Sequence, residues 1–198
     1  MTESGFQQLK EVILQKLYDG LDPKLAYHSP AHTQDVLHQA ECIAISENIS
    51  DARLLLLIKI ASLFHDTGFL WVYMGHEEKS CEFMFETLGT ELFGQNELML
   101  IRDMIMATKI PQSPQSLPEM IICDADLDYL GRDDFEVISD RLRQEFVTYR
   151  IATEQEWDQL QVQFFANHQY FTDTSIRTRC LMKKKHLEKL KQKLIKYP

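Results

Sequence analysis

The sequence predicts an all-α fold, and three observations carry that prediction. Apolar residues recur at three-to-four spacing along almost every stretch. No stretch keeps the alternation of a half-buried strand. The breaks between periodic stretches hold Gly, Pro, Ser, Thr and Asp where helices start and stop. At 198 residues the chain suits one domain with a real core. No internal repeat or long linker divides it.

Taken in order, Phe6 to Tyr18 is amphipathic, and Gly20, Asp22 and Pro23 break it. Ser29 fits an N-cap and Pro30 the first helical position, so His32 falls in the first turn and His28 just before the helix. Leu54 to Phe64 is apolar except for Lys59 and Ser62, as expected of a buried helix rather than a surface one. Ser50 or Asp51 should cap it, and it should run to about Asp66, with Gly68 free to take a left-handed cap. Residues 67–75 form an aromatic-rich connection. Further helices are expected over His76 to Leu88, Glu97 to Ala107, Met120 to Leu130 and Phe135 to Tyr149. Thr153 and Glu156 form a capping-box pattern that opens a helix to about His168. Thr172 starts a basic last helix.

Composition narrows the classes of function. The net charge is −9. Residues 177–198 hold nine Lys or Arg against one Glu, while residues 1–176 hold twelve basic and twenty-nine acidic residues. An acidic body is a poor general binder of nucleic acid. The central apolar run is too short and interrupted to span a membrane. The N-terminus lacks the pattern of a signal peptide, and Cys42, Cys81, Cys123 and Cys180 form no CxxC pair. A cytoplasmic chain with reduced thiols is expected.

Ligand-type residues gather at helix ends: His28 and His32, His65 and Asp66, His76 and Glu77, and Asp124, Asp126 and Asp128. An aspartate ending the most apolar helix is costly unless something compensates its charge. A bound cation would compensate it, and so would an arginine. Imidazole with carboxylate is the ligand set of Mn, Fe, Co, Ni or Zn sites.

The motifs Tyr27-His28-x-x-x-His32-Thr33-x-x-Val36, Leu63-Phe64-His65-Asp66-Thr67-Gly68 and Cys123-Asp124-Ala125-Asp126-Leu127 resemble those of the HD superfamily of metal-dependent phosphohydrolases. The first and third are also similar to segments of cyclic-nucleotide phosphodiesterases. The resemblance covers about residues 25–130 and implies an HD-domain helical bundle. Residues from about 131 to 198 would add C-terminal helices to it.

The resemblance implies that His32, His65, Asp66 and a later aspartate hold a divalent ion, one of Mn, Fe, Co, Ni, Zn or Mg. It implies hydrolysis of a phosphomonoester or phosphodiester, of a nucleotide or related small metabolite, by a metal-activated hydroxide. Asp66 then belongs to the catalytic apparatus as well as to the ligands. Asp126 stands at the family's Ala-Asp-Leu position. In a continuous helix Asp124 and Asp128 share one face and Asp126 lies about 200° away. Asp124 is then a partner behind the ligands or a capping charge. His28 stands where phosphodiesterases keep the general acid. Its place before Pro30 predicts an exposed, mobile backbone suited to reaching a leaving oxygen.

Other residues stay open between two readings. His76 and Glu77 touch phosphate or metal-bound water, or they open a surface helix. Lys109 stands where two-metal members often carry a histidine, which favours one tightly held ion. It pairs with phosphate, or it is a surface lysine at a helix end. Trp71 and Tyr73 stack on a base or pack in the core. His168, Tyr170, Arg177 and Arg179 could close over the site, whereas His38 and His186 look ordinary. The leading expectation is an enzyme. The alternative is a non-catalytic HD-type metal- or nucleotide-binding regulatory module.

Overall fold

Several helices open on side-chain caps that are written in the sequence. A computed structural model describes residues 1–196, with the backbone alone at positions 91 and 196. Among the described residues there are nine α-helices and no strand. They are α1 (Glu3–Gly20), α2 (Pro30–Ser46), α3 (Ala52–Phe64), α4 (His76–Leu92), α5 (Gln95–Ala107), α6 (Leu117–Asp126), α7 (Phe135–Thr148), α8 (Glu154–Asn167) and α9 (Asp173–Lys196). Two 3-10 turns, Thr67–Leu70 and Asp128–Gly131, follow α3 and α6. Among the described residues, no helix is long and apolar enough to cross a membrane.

Ser29 accepts from the His32 amide, and Pro30 begins α2. Asp51, not Ser50, caps α3 through the Arg53 and Leu54 amides. Thr153 and Glu156 close the expected box on α8. Helix α3 ends sooner than the apolar run suggests. His65 is its C-cap, and Asp66 has already left helical geometry at φ −106° and ψ 5°.

Gly68 is needed for close approach, not for a left-handed cap. It sits inside the first 3-10 turn, and a Cβ there would lie 1.9 Å from the His76 carbonyl oxygen. Ser80 ties the same crossing. Its hydroxyl donates to His65 O (2.7 Å) and accepts from Gly68 N (2.8 Å). The first turn of α4 is thereby pressed against the end of α3.

Two apolar clusters hold the helices. The first is built on α3, whose Leu57, Ile58, Ile60, Ala61, Leu63 and Phe64 are buried against α1, α2, α5 and α6. Each large side chain there contributes about 1.5–3 kcal/mol over an exposed one. Lys59, the one charge within the run, lies over the Phe6 ring and pairs with Glu41 at 3.3 Å. The second cluster joins Tyr27, Leu127, Tyr129 and Leu130 to Phe135, Phe165 and Tyr170. Phe64 and Ala125 belong to the first cluster, and Tyr27 and Leu127 to the second. The intervening His28, His65, Asp66 and Asp126 therefore lie where the two clusters meet.

The last helix is less solvated than its charge suggests. Lys183 and His186 are buried, and His186 Nε2 lies 2.9 Å from the Arg132 carbonyl oxygen. A Cβ on Gly131 would come 2.6 Å from the Arg179 backbone oxygen, so α9 crosses that turn at backbone contact.

Candidate metal centre

Three helix ends bring the candidate ligands together: the first turn of α2, the last of α3 and the last of α6. His32 Nε2 and His65 Nε2 are 3.4 Å apart. Asp66 Oδ2 is 3.3 Å from the first and 3.2 Å from the second. Asp126 Oδ1 is 3.2 Å from His32 Nε2 and 3.6 Å from His65 Nε2. His32, His65 and Asp66 form a group whose ligand atoms all lie within 4.8 Å of one another.

The residues fit a divalent ion on three counts. Ligands bound about 2.0–2.2 Å from one ion stand roughly 3.0–3.5 Å from their neighbours, which matches these separations. His65 Nδ1 is 2.8 Å from Ser62 O, an atom that only accepts, so this nitrogen carries the proton and Nε2 of the neutral ring offers its lone pair. Asp66 Oδ2 is buried and takes no well-directed hydrogen bond, although both imidazoles are near. A cation would satisfy all of these atoms at once.

Without an ion, the charges lean on protons. Burial would depress the His32 ring, but Asp126 and Asp66 outweigh it and raise its pKa to about 8. Burial likewise opposes protonation of His65, and the Asp66 charge reverses the balance and holds it well above the usual range. Burial raises Asp126, and the His32 and His65 rings bring it down to about 2. An incoming ion must displace those protons.

Asp126 lies beside the two imidazoles and Asp124 does not, and the continuous-helix argument is not the reason. The α-helix ends at Asp126, and Asp128 opens a 3-10 turn, so no continuous helix carries both 124 and 128. Asp124 is fully buried and accepts from Phe171 N (2.9 Å), Thr172 N (2.8 Å) and Thr172 Oγ1 (2.7 Å) at the start of α9. It is a capping charge. Asp128 receives Arg179 Nε at 2.7 Å.

His28 is not mobile. Its Nδ1 bonds the Glu145 carboxylate, and its ring stacks on Phe69 with centroids 4.1 Å apart. Glu145 also accepts from the Tyr27 and His28 amides (2.9 and 3.1 Å) and from the Tyr73 hydroxyl (2.8 Å). Burial pushes the Glu145 carboxyl up, but His28 and the two amides outweigh it, so its pKa is lowered. Sequence reasoning missed Glu145. It lies 117 residues from His28, and its local setting is only that of an amphipathic helix.

The remaining candidates divide. His76 stacks on Phe69 (4.0 Å), and its Nε2 is 3.5 Å from Asp66 Oδ1 and 3.6 Å from Glu77 Oε1. His76 and buried Glu77 therefore open α4 with their side chains toward the centre rather than toward solvent. Lys109 does not reach it: its ammonium pairs with Glu78 at the surface. Tyr73 holds Glu145, whereas Trp71 packs edge-on to Phe83 and lies half exposed. Closure over the site by Tyr170 and Arg179, one reading the sequence left open, is not what is found. Tyr170 donates to Leu127 O (3.2 Å), and Arg179 holds Asp128.

A cleft of about 410 Å³ opens from the centre. His28, Asp66, His76, Glu77 and Asp126 line one end. Helices α7 and α8 supply much of the rest, including Leu142, Phe146, Trp157, Leu160, Phe164 and Phe165. No family model, curated protein or solved structure matches this chain, so the resemblance to the HD superfamily stands on its motifs alone.

Proposed function

We propose that this protein is a metal-dependent phosphohydrolase that cleaves a phosphomonoester or phosphodiester. One observation carries the reading. Two imidazole nitrogens and two carboxylate oxygens converge at the mouth of a cleft, beside a third histidine oriented by a buried carboxylate. A purely structural ion would be closed off by its ligands, whereas Asp66 and Asp126 line a cavity.

His32, His65, Asp66 and Asp126 would hold the ion. When bound, it supplies Lewis-acid polarisation of the phosphoryl group and a more acidic water. The chain supplies the remaining steps. His28 is held through Nδ1 by Glu145, which leaves Nε2 to carry a proton at the leaving oxygen. Water adds to phosphorus, the phosphorus–oxygen ester bond breaks, and the departing oxygen takes that proton. Asp66 holds charge at the reacting end. His76, fixed by Phe69 and by the Tyr73 carbonyl 3.1 Å from its Nδ1, contributes a second imidazole facing the phosphoryl group.

The test is phosphate release from a panel of phosphate esters with Mn²⁺, Co²⁺, Mg²⁺ or Zn²⁺ added to the full chain. Turnover should appear with one of these ions and vanish on chelation. Turnover that survives complete demetallation would refute the mechanism. Tight metal binding without turnover on any ester would favour a binding module instead.

A further inference from the structure

We infer that the cleft takes an ester carrying a single phosphoryl group and a large apolar body, an aliphatic or aromatic alcohol, rather than a nucleoside polyphosphate. This rests on the phosphohydrolase reading and specifies its substrate class. The first ground is charge. Among the described residues, no lysine or arginine lines the cleft, while Asp66, Glu77 and Asp126 do. Lys109, the nearest candidate in sequence, is turned away onto Glu78. One phosphoryl group can be met by the ion, His28 and His76. Each further phosphate would bring a charge beside carboxylates with no cation to receive it.

The second ground is the scarcity of groups that could read a base. Away from the metal end, and beyond Tyr27, which packs 4.5 Å from His32, and Tyr129 behind it, the polar lining is Thr108, Gln161 and the Trp157 indole. The Thr108 hydroxyl already donates its proton to Ile105 O at 2.7 Å, and one Gln161 N–H is given to Ser139 Oγ. A base is selected by several free donors and acceptors at fixed places, and this lining offers few of them. The third ground is the wall itself. Leu142, Phe146, Ile151, Leu160, Phe164 and Phe165 give continuous apolar surface away from the metal end. A volume of about 410 Å³ suits a ligand of metabolite size. Hydrolysis would release inorganic phosphate, or a phosphomonoester from a diester, and the apolar alcohol. The alcohol oxygen takes its proton from His28.

The test is calorimetric titration of the Mn²⁺-loaded full chain with butyl-, hexyl- and octylphosphonate below their micelle concentrations, and with AMP and ADP. Affinity should rise about threefold to fourfold per added methylene. Octylphosphonate should bind at least about tenfold more tightly than AMP, and ADP should bind no better than AMP. Ile151→Lys and Leu160→Lys alter partly exposed positions that line the cleft, and both should flatten the chain-length dependence while keeping native helicity. The inference is overturned by affinity independent of chain length, by ADP binding more tightly than octylphosphonate, or by an unchanged trend in both lysine variants. Phosphate release from octyl phosphate separates the two readings. Chain-length-dependent binding without any hydrolysis keeps the cleft assignment and removes the enzyme. Hydrolysis of nucleotides without chain-length dependence does the reverse.

Discussion

Asp124 and Asp126 lie two residues apart at the end of one helix, and their surroundings are opposite. Asp124 meets two backbone amides and a hydroxyl at the start of α9, so its charge is answered by hydrogen atoms the fold provides. Asp126 meets two imidazole nitrogens, and one of these, in its neutral form, presents a lone pair. A buried carboxylate surrounded by donors stabilises a fold, whereas one that faces other acceptors calls for a cation or a proton. Burial alone does not separate the two, and neither does the spelling Cys-Asp-Ala-Asp-Leu-Asp. The donor inventory does.

The sharpest way to break this contrast is to neutralise each carboxylate in turn. Asp126→Asn should lose metal and bring turnover to background, with a small change in thermal midpoint for the metal-free protein. Asp124→Ala should keep metal content near one equivalent and lose about 3 kcal/mol of stability, because three buried donors lose their acceptor. Metal analysis beside thermal unfolding checks both. If Asp124→Ala empties the site, or Asp126→Asn leaves it full, the division of roles is wrong.

A finer comparison sets His28 against His32, four residues away. His32→Ala should lose metal and activity together. His28→Ala should retain metal and lose about 10²–10⁴ in rate, with a smaller loss for esters whose leaving group is already a weak base. Glu145→Gln should cost less, about 10–100-fold, because an amide still accepts from the Tyr27 and His28 amides but no longer orients the ring through a charge. Its kcat should fall more than its KM changes, and the pH profile of kcat should move. A variant that loses only stability would make Glu145 a packing residue.

The smallest expected effect is a difference in pH response between the two regions. At the α8–α9 junction, burial and then the Lys183 charge depress His168 to about 3, and both ring nitrogens lack partners. A histidine depressed in the folded state contributes stability that is present above its unfolded pKa, about 6.5, and fades as pH falls towards the folded value. In the metal-free centre the sign reverses. His32, raised to about 8, contributes stability that is present below about 6.5 and lost as pH rises through 8. Denaturant unfolding of chelated protein between pH 5 and 9 reads both. His168→Gln should flatten the acid limb only, and His32→Gln the alkaline limb only. Saturating metal should invert the alkaline loss, since ligands bind better once deprotonated.

The sequence by itself determined the helices and three of the places where they end. Ser29-Pro30, Asp51 and Thr153-x-x-Glu156 act within one turn, so their effect is written beside them. The candidate ligands were legible for the same reason: His32, His65-Asp66 and Asp126 each mark a helix end, and a helix end limits where a side chain can go. The exact end of α3, the role of Gly68 and the fate of Asp124 were decided by neighbours distant in sequence. Gly68 answers to the His76 backbone and Asp124 to the first turn of α9. His28 looked free because Pro30 excludes it from α2, and only the tertiary structure delivers Glu145 to its ring. The cleft is the clearest case. Leu142, Phe146, Leu160 and Phe164 follow the ordinary spacing of amphipathic helices, which marks a buried face but not what it is buried against. Packing α7 on the second 3-10 turn and α8 on α9 left part of that face uncovered, and that uncovered surface walls the site.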